Sequence, residues 1–299
     1  MGPAISNHTP SQGIPQHGPP ICGIQERRED RAHAIQAIAR FGVGTLVIST
    51  ALALVVSPWL HLPLWTIIRR CVSIGAAISL WLSIKKFERR SFRSYGLFAS
   101  RAGRRQLLFG LLLGAGAIGL LFAIGLLSGT CQIAITPDRP KLWWTVLSFI
   151  PIAILVSVLE ELVFRGFLLQ HLMAFSKPMA VTVSSVLYAL VHMKTAAWSL
   201  GLWCELIGLF LLGSVLALSY LATKQLYLAI GLHASLAYGA RVNKLVVHFL
   251  SEPPITWIMG TGRLVNGLVG WTLLVVLGVG MVLWRTRPSQ RGGTQYGET

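Results

Sequence analysis

The chain has 299 residues, of which 54% are hydrophobic and 12% are charged. This charged fraction is about half that of an average globular protein, and the mean hydropathy is +0.64. Apolar runs long enough to cross a bilayer as a helix, about 20 residues, recur from Gly42 to Trp284. The composition excludes a soluble enzyme, a disordered chain and a small disulfide-stabilised module, and it indicates an integral membrane protein.

The net charge is +16, which in a soluble protein would suggest a nucleic-acid partner. In this chain most Lys and Arg residues lie in the connections between apolar runs, where such residues orient a membrane protein and contact anionic lipid. We therefore expect membrane lipid, and no nucleic acid, as the partner of this charge.

Residues 1–41 are predicted to be a disordered polar tail that contains one short helix. Five Pro residues among Gly, Ser, Gln and His make the first twenty residues too polar and too broken for a core. Residues 25–40 have the pattern of a basic amphipathic helix that lies at the membrane surface. At the other end of the chain, residues 285–299 are predicted to be a second, cytoplasmic tail.

Residues 42–284 are predicted to form an all-α transmembrane domain. It contains eight apolar spans, which are 42–60, 64–84, 106–128, 142–168, 178–194, 199–222, 226–247 and 266–284. Because the count is even, both termini lie on one side of the membrane. The tails and connections on that side hold seventeen Lys and Arg residues, whereas the opposite connections hold six. We therefore expect both termini in the cytoplasm, and we place this multi-pass protein in the plasma membrane.

Ionisable side chains inside a bilayer cost several kcal/mol each, and here they concentrate between residues 160 and 241. The fourth span contains Glu160, Glu161 and Arg165. Neighbouring helical residues point about 100° apart, so the two carboxylates cannot face the same partner. Arg165 follows Glu161 by four residues, which is the spacing of a helical ion pair. This pairing leaves Glu160 to face the interior.

The fifth and seventh spans each contribute a histidine. Glu160 and His192 lie sixteen residues on either side of Ser176, so a helical hairpin that turns there brings both to one depth, where they can share a water. A carboxylate in a poorly solvated cavity becomes a better base, which favours general-base hydrolysis. His233 is placed to hydrogen-bond the oxyanion that forms when water adds to a carbonyl. Tyr188, one turn before His192, is expected to pack on its imidazole.

These motifs resemble those of the CPBP intramembrane proteases, the family of the type II CAAX prenyl endopeptidases and of bacteriocin-processing membrane proteins. The family pattern is EExxxR, FxxxH and HxxxN or HxxxD, and the resemblance covers roughly residues 90–285. It implies a bundle of about eight transmembrane helices with a cavity open to the cytoplasmic side and a protease core at about residues 142–247. It also implies that the residues matching Glu160 and His192 activate a water, and that the residue matching His233 helps hold the oxyanion.

Two positions depart from the family pattern. Phe is replaced by Tyr188, which keeps the ring, and the Asn or Asp four residues after the second His is Ala237. Because Ala has no side-chain donor, the oxyanion side of the site is incomplete. We expect Arg241, two helical turns beyond His233, or an ordered water to fill this gap.

The sequence therefore predicts a glutamate-type intramembrane peptidase without a cofactor, acting on a peptide or membrane-protein substrate. No Ser or Cys lies beside a base in a recognisable motif, which argues against covalent catalysis. Two alternatives stay open. One is a zinc peptidase in which Glu160, His192 and His233 bind the metal. The other is a non-catalytic descendant of the family that binds membrane partners.

Glu205 lies midway along the sixth span, where an isolated carboxylate is costly. Two explanations are open from the sequence. The side chain either supports His233, or it is protonated and hydrogen-bonded to a neighbouring helix.

Overall fold

The computed structural model describes residues 21–62, 64–193, 199–250, 255–260 and 263–286. Within these ranges most of the chain is helical. Two three-residue strands, β1 (Cys131–Ile133) and β2 (Val247–Phe249), pair antiparallel. The α-helices are α1 (Ile21–Val56), α2 (Leu64–Leu82), α3 (Arg101–Leu127), α4 (Arg139–Glu161), α5 (Leu169–Leu172), α6 (Lys177–Val191), α7 (Leu200–Thr223), α8 (Tyr227–Val246), α9 (Ile255–Met259) and α10 (Leu268–Thr286).

Each of the eight predicted spans overlaps one of these helices. In the described part of the chain, four segments are long and apolar enough to cross a membrane, namely Arg27–Trp59, Arg101–Leu127, Arg139–Leu172 and Leu200–Thr223. Helix α6 and most of α10 are apolar but shorter. The protein is therefore an all-α integral membrane protein, and the count of eight spans stays a prediction.

Helix α1 differs from its prediction, because no break separates a surface helix from the first span. It runs for 36 residues without interruption, a length of about 54 Å, whereas the hydrocarbon core of a bilayer is about 30 Å thick. The N-terminal part of α1 instead packs on α5 and on the residues that follow it. There Arg31 Nε donates to the Ala174 carbonyl at 3.4 Å, and the His33 ring stacks on His171. The predicted tail before residue 21 and the residues after 286 lie outside the described ranges.

A polar cluster near this end of α1 joins the connection after α2 to α5. The Glu88 carboxylate lies 3.0 Å from His171 Nε2, and it accepts a hydrogen bond from the Tyr95 hydroxyl. Burial alone raises the pKa of Glu88, but the hydrogen bonds to His171 and Tyr95 outweigh burial and hold the pKa below its usual range. The ionised carboxylate therefore joins the connection after α2 to α5, two segments that are far apart in the sequence.

Helix α8 packs closely along α3 through a pair of glycines. A Cβ at Gly110 would collide with the carbonyl oxygen of Leu228, and a Cβ at Gly231 would collide with that of Leu107. Small residues at such crossings let two backbones approach closely, which is a common mode of helix association in membranes. This crossing sets the depth of α8.

The helical hairpin that carries the first two motifs has an irregular first arm. Helix α4 ends at Glu161, and a π-helix continues it over Leu162–Leu168 before α5 begins. A π-helix bonds residue i to i+5, and such segments are frequent at functional sites. Helix α6 then begins after Ser176, whose Oγ accepts a hydrogen bond from the Met179 amide at 3.2 Å. The chain thus turns where the sequence predicts the turn.

Candidate active site

The most deeply buried part of the candidate site is an ion pair on the first arm of the hairpin. Glu161 and Arg165 are almost fully buried, and Arg165 Nη1 donates to Glu161 Oε1 at 2.9 Å. His233 Nδ1 lies 2.8 Å from the same oxygen. Since an ionised carboxylate only accepts, we assign a proton to that nitrogen. Arg165 Nη2 also donates to the Gly213 carbonyl at 3.1 Å. The structure thus contains the Glu161–Arg165 pair that the spacing predicts and adds His233 to it.

Glu160 has different surroundings from its neighbour. Its side chain is 26% exposed, and its Oε2 lies 3.4 Å from His192 Nε2 and 3.7 Å from His233 Nε2. The His192 side chain is similarly open, at 30%. Helical geometry turns consecutive residues about 100° apart, so one carboxylate is sealed against Arg165 while the other faces the two imidazoles. The structure therefore brings Glu160, His192 and His233 together.

Helix geometry also orients the His192 ring. His192 is the first residue beyond α6, and its Nδ1 lies 2.7 Å from the carbonyl oxygen of Tyr188. A carbonyl only accepts, so Nδ1 carries a proton, and in the neutral ring Nε2 is then an acceptor. This tautomer directs the acceptor nitrogen of His192 toward Glu160.

Tyr188 lies in the centre of the group and is almost fully buried. Its ring centroid is 4.3 Å from that of His192, which agrees with the expected packing. The Arg165 guanidinium lies over the same ring, with Cζ 4.6 Å from the centroid. The Tyr188 hydroxyl is 3.4 Å from His233 Nε2, a contact that the sequence analysis does not anticipate. The hydroxyl therefore points at the same imidazole nitrogen that faces Glu160.

The structure places the Arg241 side chain away from His233 and the expected oxyanion position. Its side chain is exposed, and its Cζ lies 5.9 Å from the ring centroid of Phe149 on α4. Eight residues separate Arg241 from His233, which is about 12 Å along a helix and too far for the guanidinium to share a ligand with that ring. The expected substitution of Arg241 for the missing Asn is therefore not seen, and Ala237 contributes only a methyl group.

Glu205 is explained by a partner that the sequence analysis does not name. Arg263, in the connection before α10, lies with its Nη1 2.9 Å from Glu205 Oε1. This ion pair neutralises the carboxylate, so neither support of His233 nor protonation is needed to account for it. The sequence gives little indication of this pair, because 58 residues and the two helices α8 and α9 separate its members.

Among the described residues, no group of three His, Cys, Asp or Glu side chains is arranged to hold a metal ion. In the set Glu160, His192 and His233, the Nδ1 of His233 is bonded to Glu161 and its Nε2 faces the Tyr188 hydroxyl. A histidine whose Nδ1 donates to a carboxylate can still bind a metal through Nε2, so the zinc alternative stays open.

Residues 142–238 match the family model described as Type II CAAX prenyl endopeptidase Rce1-like. The match covers about a third of the chain and includes all three motifs and Ala237. No curated protein matches the chain. This family match confirms the resemblance that rests on the motifs.

Replacement of Glu161 by Gln tests the buried ion pair. The substitution leaves the Arg165 cation without its counter-charge, and loss of one partner of a buried pair costs about 3–5 kcal/mol. We expect a lower thermal unfolding midpoint and a lower folded yield in detergent. Glu29→Gln, at an exposed position on α1, is the control and should change neither. An unaltered midpoint for Glu161→Gln would show that the pair does not stabilise the fold.

Proposed function

We propose that the protein is a membrane-embedded endopeptidase that hydrolyses peptide bonds with a water activated by Glu160 and His192. The observation that carries this proposal is the position of Glu160 Oε2, which lies between the Nε2 atoms of His192 and His233 on a side chain that is 26% exposed. The matched family is one of endopeptidases, which supports the same reaction class. The substrate is a peptide or a membrane protein.

The distribution of Lys and Arg supports a topology for this enzyme. With both termini in the cytoplasm, the basic connections face anionic lipid of the inner leaflet of the plasma membrane. Access to Glu160 is then from the cytoplasmic side, through the cavity that the family resemblance implies. The cleaved bond lies near the membrane surface.

Hydrolysis begins at the Glu160 carboxylate. Within the described residues Oε2 of this group accepts no hydrogen bond, and a buried carboxylate oxygen requires a donor. The attacking water is that donor, and His192 positions it from the other side. Glu160 takes a proton from the water as its oxygen adds to the carbonyl carbon, and the carbonyl electrons move onto the oxygen. The proton then passes to the amide nitrogen, the C–N bond breaks, and a carboxylate and an amine leave.

The tetrahedral intermediate needs donors for its oxyanion. An Nε2–H of His233 is one such donor, and the Glu161 carboxylate holds the ring in place through Nδ1. We assign the second donor to Tyr188, whose hydroxyl lies beside the same nitrogen. The Tyr188 hydroxyl is absent from the family's Phe, and Ala237 lacks the amide of the family's Asn. The two departures from the family pattern therefore compensate each other.

Glu160→Gln and His192→Ala test the water-activating pair. Each removes a group needed for general-base catalysis, so we expect product to fall by about 10²-fold or more while the protein still inserts into membranes. The measurement compares peptide termini, by mass spectrometry, in cells that carry wild-type or variant protein. Glu29→Gln is again the matched carboxylate control. Undiminished product from either active-site variant would refute the mechanism.

Tyr188→Phe, alone and combined with Ala237→Asn, tests the second oxyanion donor. Loss of one such donor costs about 10²–10³-fold in rate, so Tyr188→Phe should lower kcat by that order while keeping the ring stack on His192. In the double variant, Ala237→Asn should raise kcat at least about tenfold above that of Tyr188→Phe. Ala237→Asn alone should change the wild-type rate by less than about tenfold.

Two outcomes of that experiment would contradict the assignment. A wild-type rate for Tyr188→Phe would remove Tyr188 from the chemistry. An inert wild type that gains turnover only with Ala237→Asn would identify the protein as a non-catalytic descendant of the family, the alternative that Ala237 favours.

A chelator separates the proposed mechanism from zinc catalysis. If Glu160 and His192 activate water without a metal, purified protein should hold less than one zinc per chain and should stay active after treatment with a strong chelator. A catalytic zinc would be the main acidifier of its bound water. One tightly bound zinc per chain, with activity lost on its removal and regained on its return, would establish the zinc peptidase instead.

A further inference from the structure

A polar cavity of about 320 Å³ lies outside the candidate active site, and the proposed mechanism does not use it. Its wall combines three segments that are distant in the sequence. Asp30 and His33 come from α1, Arg90 and Tyr95 from the connection after α2, and Gln170 from α5. A volume of this size is at the lower end of the range for small-molecule sites. The charged and amide groups in its wall fit a small polar ligand.

Two walls of this cavity are fixed by contacts within the protein. The His33 ring of α1 stacks on His171 of α5, with 6.3 Å between the ring centroids. The Glu88 side chain is only 2% exposed, and its carboxylate oxygens are turned to His171 and to the Tyr95 hydroxyl. Groups that are already held in place lose little conformational entropy when a ligand binds. The cavity is therefore preorganised.

One lining side chain has no partner within the described part of the chain. The Nε2 atom of Gln170 is buried, and none of the described residues accepts a hydrogen bond from it. Buried amide donors in proteins normally have an acceptor. A half-turn of the amide group, which exchanges the positions of its nitrogen and oxygen, presents this donor to the cavity. A ligand with acceptor oxygens fits this position.

The charge around the cavity favours an anionic ligand. Residues 85–105 contain eight Lys or Arg residues and one acidic residue, Glu88. Arg90 lines the cavity, and its positive charge acts on the Glu88 carboxylate. The second acidic group, Asp30, is exposed, so water surrounds its charge at the rim. A guanidinium has a planar fork of donors that fits the oxygens of a phosphate.

The surroundings of the cavity combine exposed apolar and basic side chains, which is typical of a membrane surface. Ile35 follows the cavity-lining Ala34 on α1 and is 57% exposed, and Phe87 precedes Glu88 and is 52% exposed. At the edge of a membrane domain, exposed apolar side chains contact lipid tails, and Lys and Arg contact the headgroups. The phosphate nearest to this cavity in a membrane is therefore that of a lipid headgroup.

We propose that this cavity binds a phosphate group, supplied by the headgroup of an anionic glycerophospholipid. Arg90 and the amide of Gln170 donate to the phosphate oxygens, and Asp30 accepts a hydrogen bond from a headgroup hydroxyl at the rim. Phosphatidylglycerol has both of these groups. The bound lipid joins α1 to α5, and hence to the arm of the hairpin that carries Glu160. This site does not depend on the proposed peptidase function.

The experiment measures lipid binding to purified full-length protein in detergent micelles. Phosphatidylglycerol or phosphatidylcholine with the same acyl chains is added in steps, and native mass spectrometry counts the lipids that remain on each chain. A hydrogen bond to a charged group contributes about 10–100-fold, so wild type should retain one phosphatidylglycerol with at least about tenfold higher affinity than phosphatidylcholine. Phosphatidylglycerol should also raise the thermal unfolding midpoint, because a ligand that binds only the folded protein stabilises it.

Three variants separate the cavity from the general basic charge of the surface. Arg90→Gln should lower the affinity for phosphatidylglycerol about tenfold or more. Arg93→Gln removes the same charge from an exposed position of the same connection that does not line the cavity, and it should keep the wild-type affinity within about twofold. Gln170→Leu removes a buried donor that has no protein acceptor. It should weaken phosphatidylglycerol binding without lowering the unfolding midpoint in phosphatidylcholine.

A soluble phosphate distinguishes the source of the ligand. Glycerol 3-phosphate should compete with phosphatidylglycerol only weakly, because it lacks the acyl chains that hold a lipid at the membrane surface. If it instead binds as tightly as the lipid and Arg90→Gln abolishes that binding, the phosphate site stands and a lipid occupant is wrong. Equal affinities of Arg90→Gln and Arg93→Gln for phosphatidylglycerol, or equal retention of the two lipids by wild type, would overturn the site itself.

Discussion

One oxygen of Glu161 holds together the helices around the site. It accepts hydrogen bonds from Arg165 on the adjoining π-helix and from His233 on α8, and Arg165 in turn donates to the Gly213 carbonyl of α7. The Arg165 guanidinium also covers the Tyr188 ring of α6. Within lipid, apolar side chains gain little by leaving the tails for one another, so polar contacts and close packing hold helices together. Four segments of the bundle therefore depend on one buried carboxylate.

The same interaction gives two adjacent carboxylates different chemistry. Glu161 contacts both Arg165 and His233 through Oε1, whereas the Glu160 side chain remains partly open beside His192. The formal charges of Glu160, Glu161 and Arg165 sum to one negative charge, and a net charge is costly inside a bilayer. In the proposed mechanism, proton transfer from water and back to the leaving amine takes place within this cluster.

Local spacing suffices to predict the helices and the Glu161–Arg165 pair, because both depend on the periodicity of one continuous segment. The contact of His233 with Glu161 joins residues 72 apart, and the partner of Glu205 is similarly distant. Such contacts depend on the rotation and depth of each helix, which periodicity leaves open. The expectation for Arg241 considers its angle on the helix but not its axial distance. A break in α1 was expected where the sequence changes from polar to apolar. The backbone hydrogen bonding of the helix continues across that change.

The π-helix between Glu161 and α5 affects the direction in which the later residues of this helical arm point. Wider turns change the direction in which later residues point, and each residue added to or removed from a helix rotates the remainder by about 100°. The direction of His171, which binds Glu88, therefore depends on both the residue count and the pitch within Leu162–Leu168. Seven residues at the smaller rotation of a π-helix turn through about the same angle as six residues at 100°. The π-helix thus accommodates one more residue than a regular α-helix between Glu160 and His171, while both side chains keep their directions.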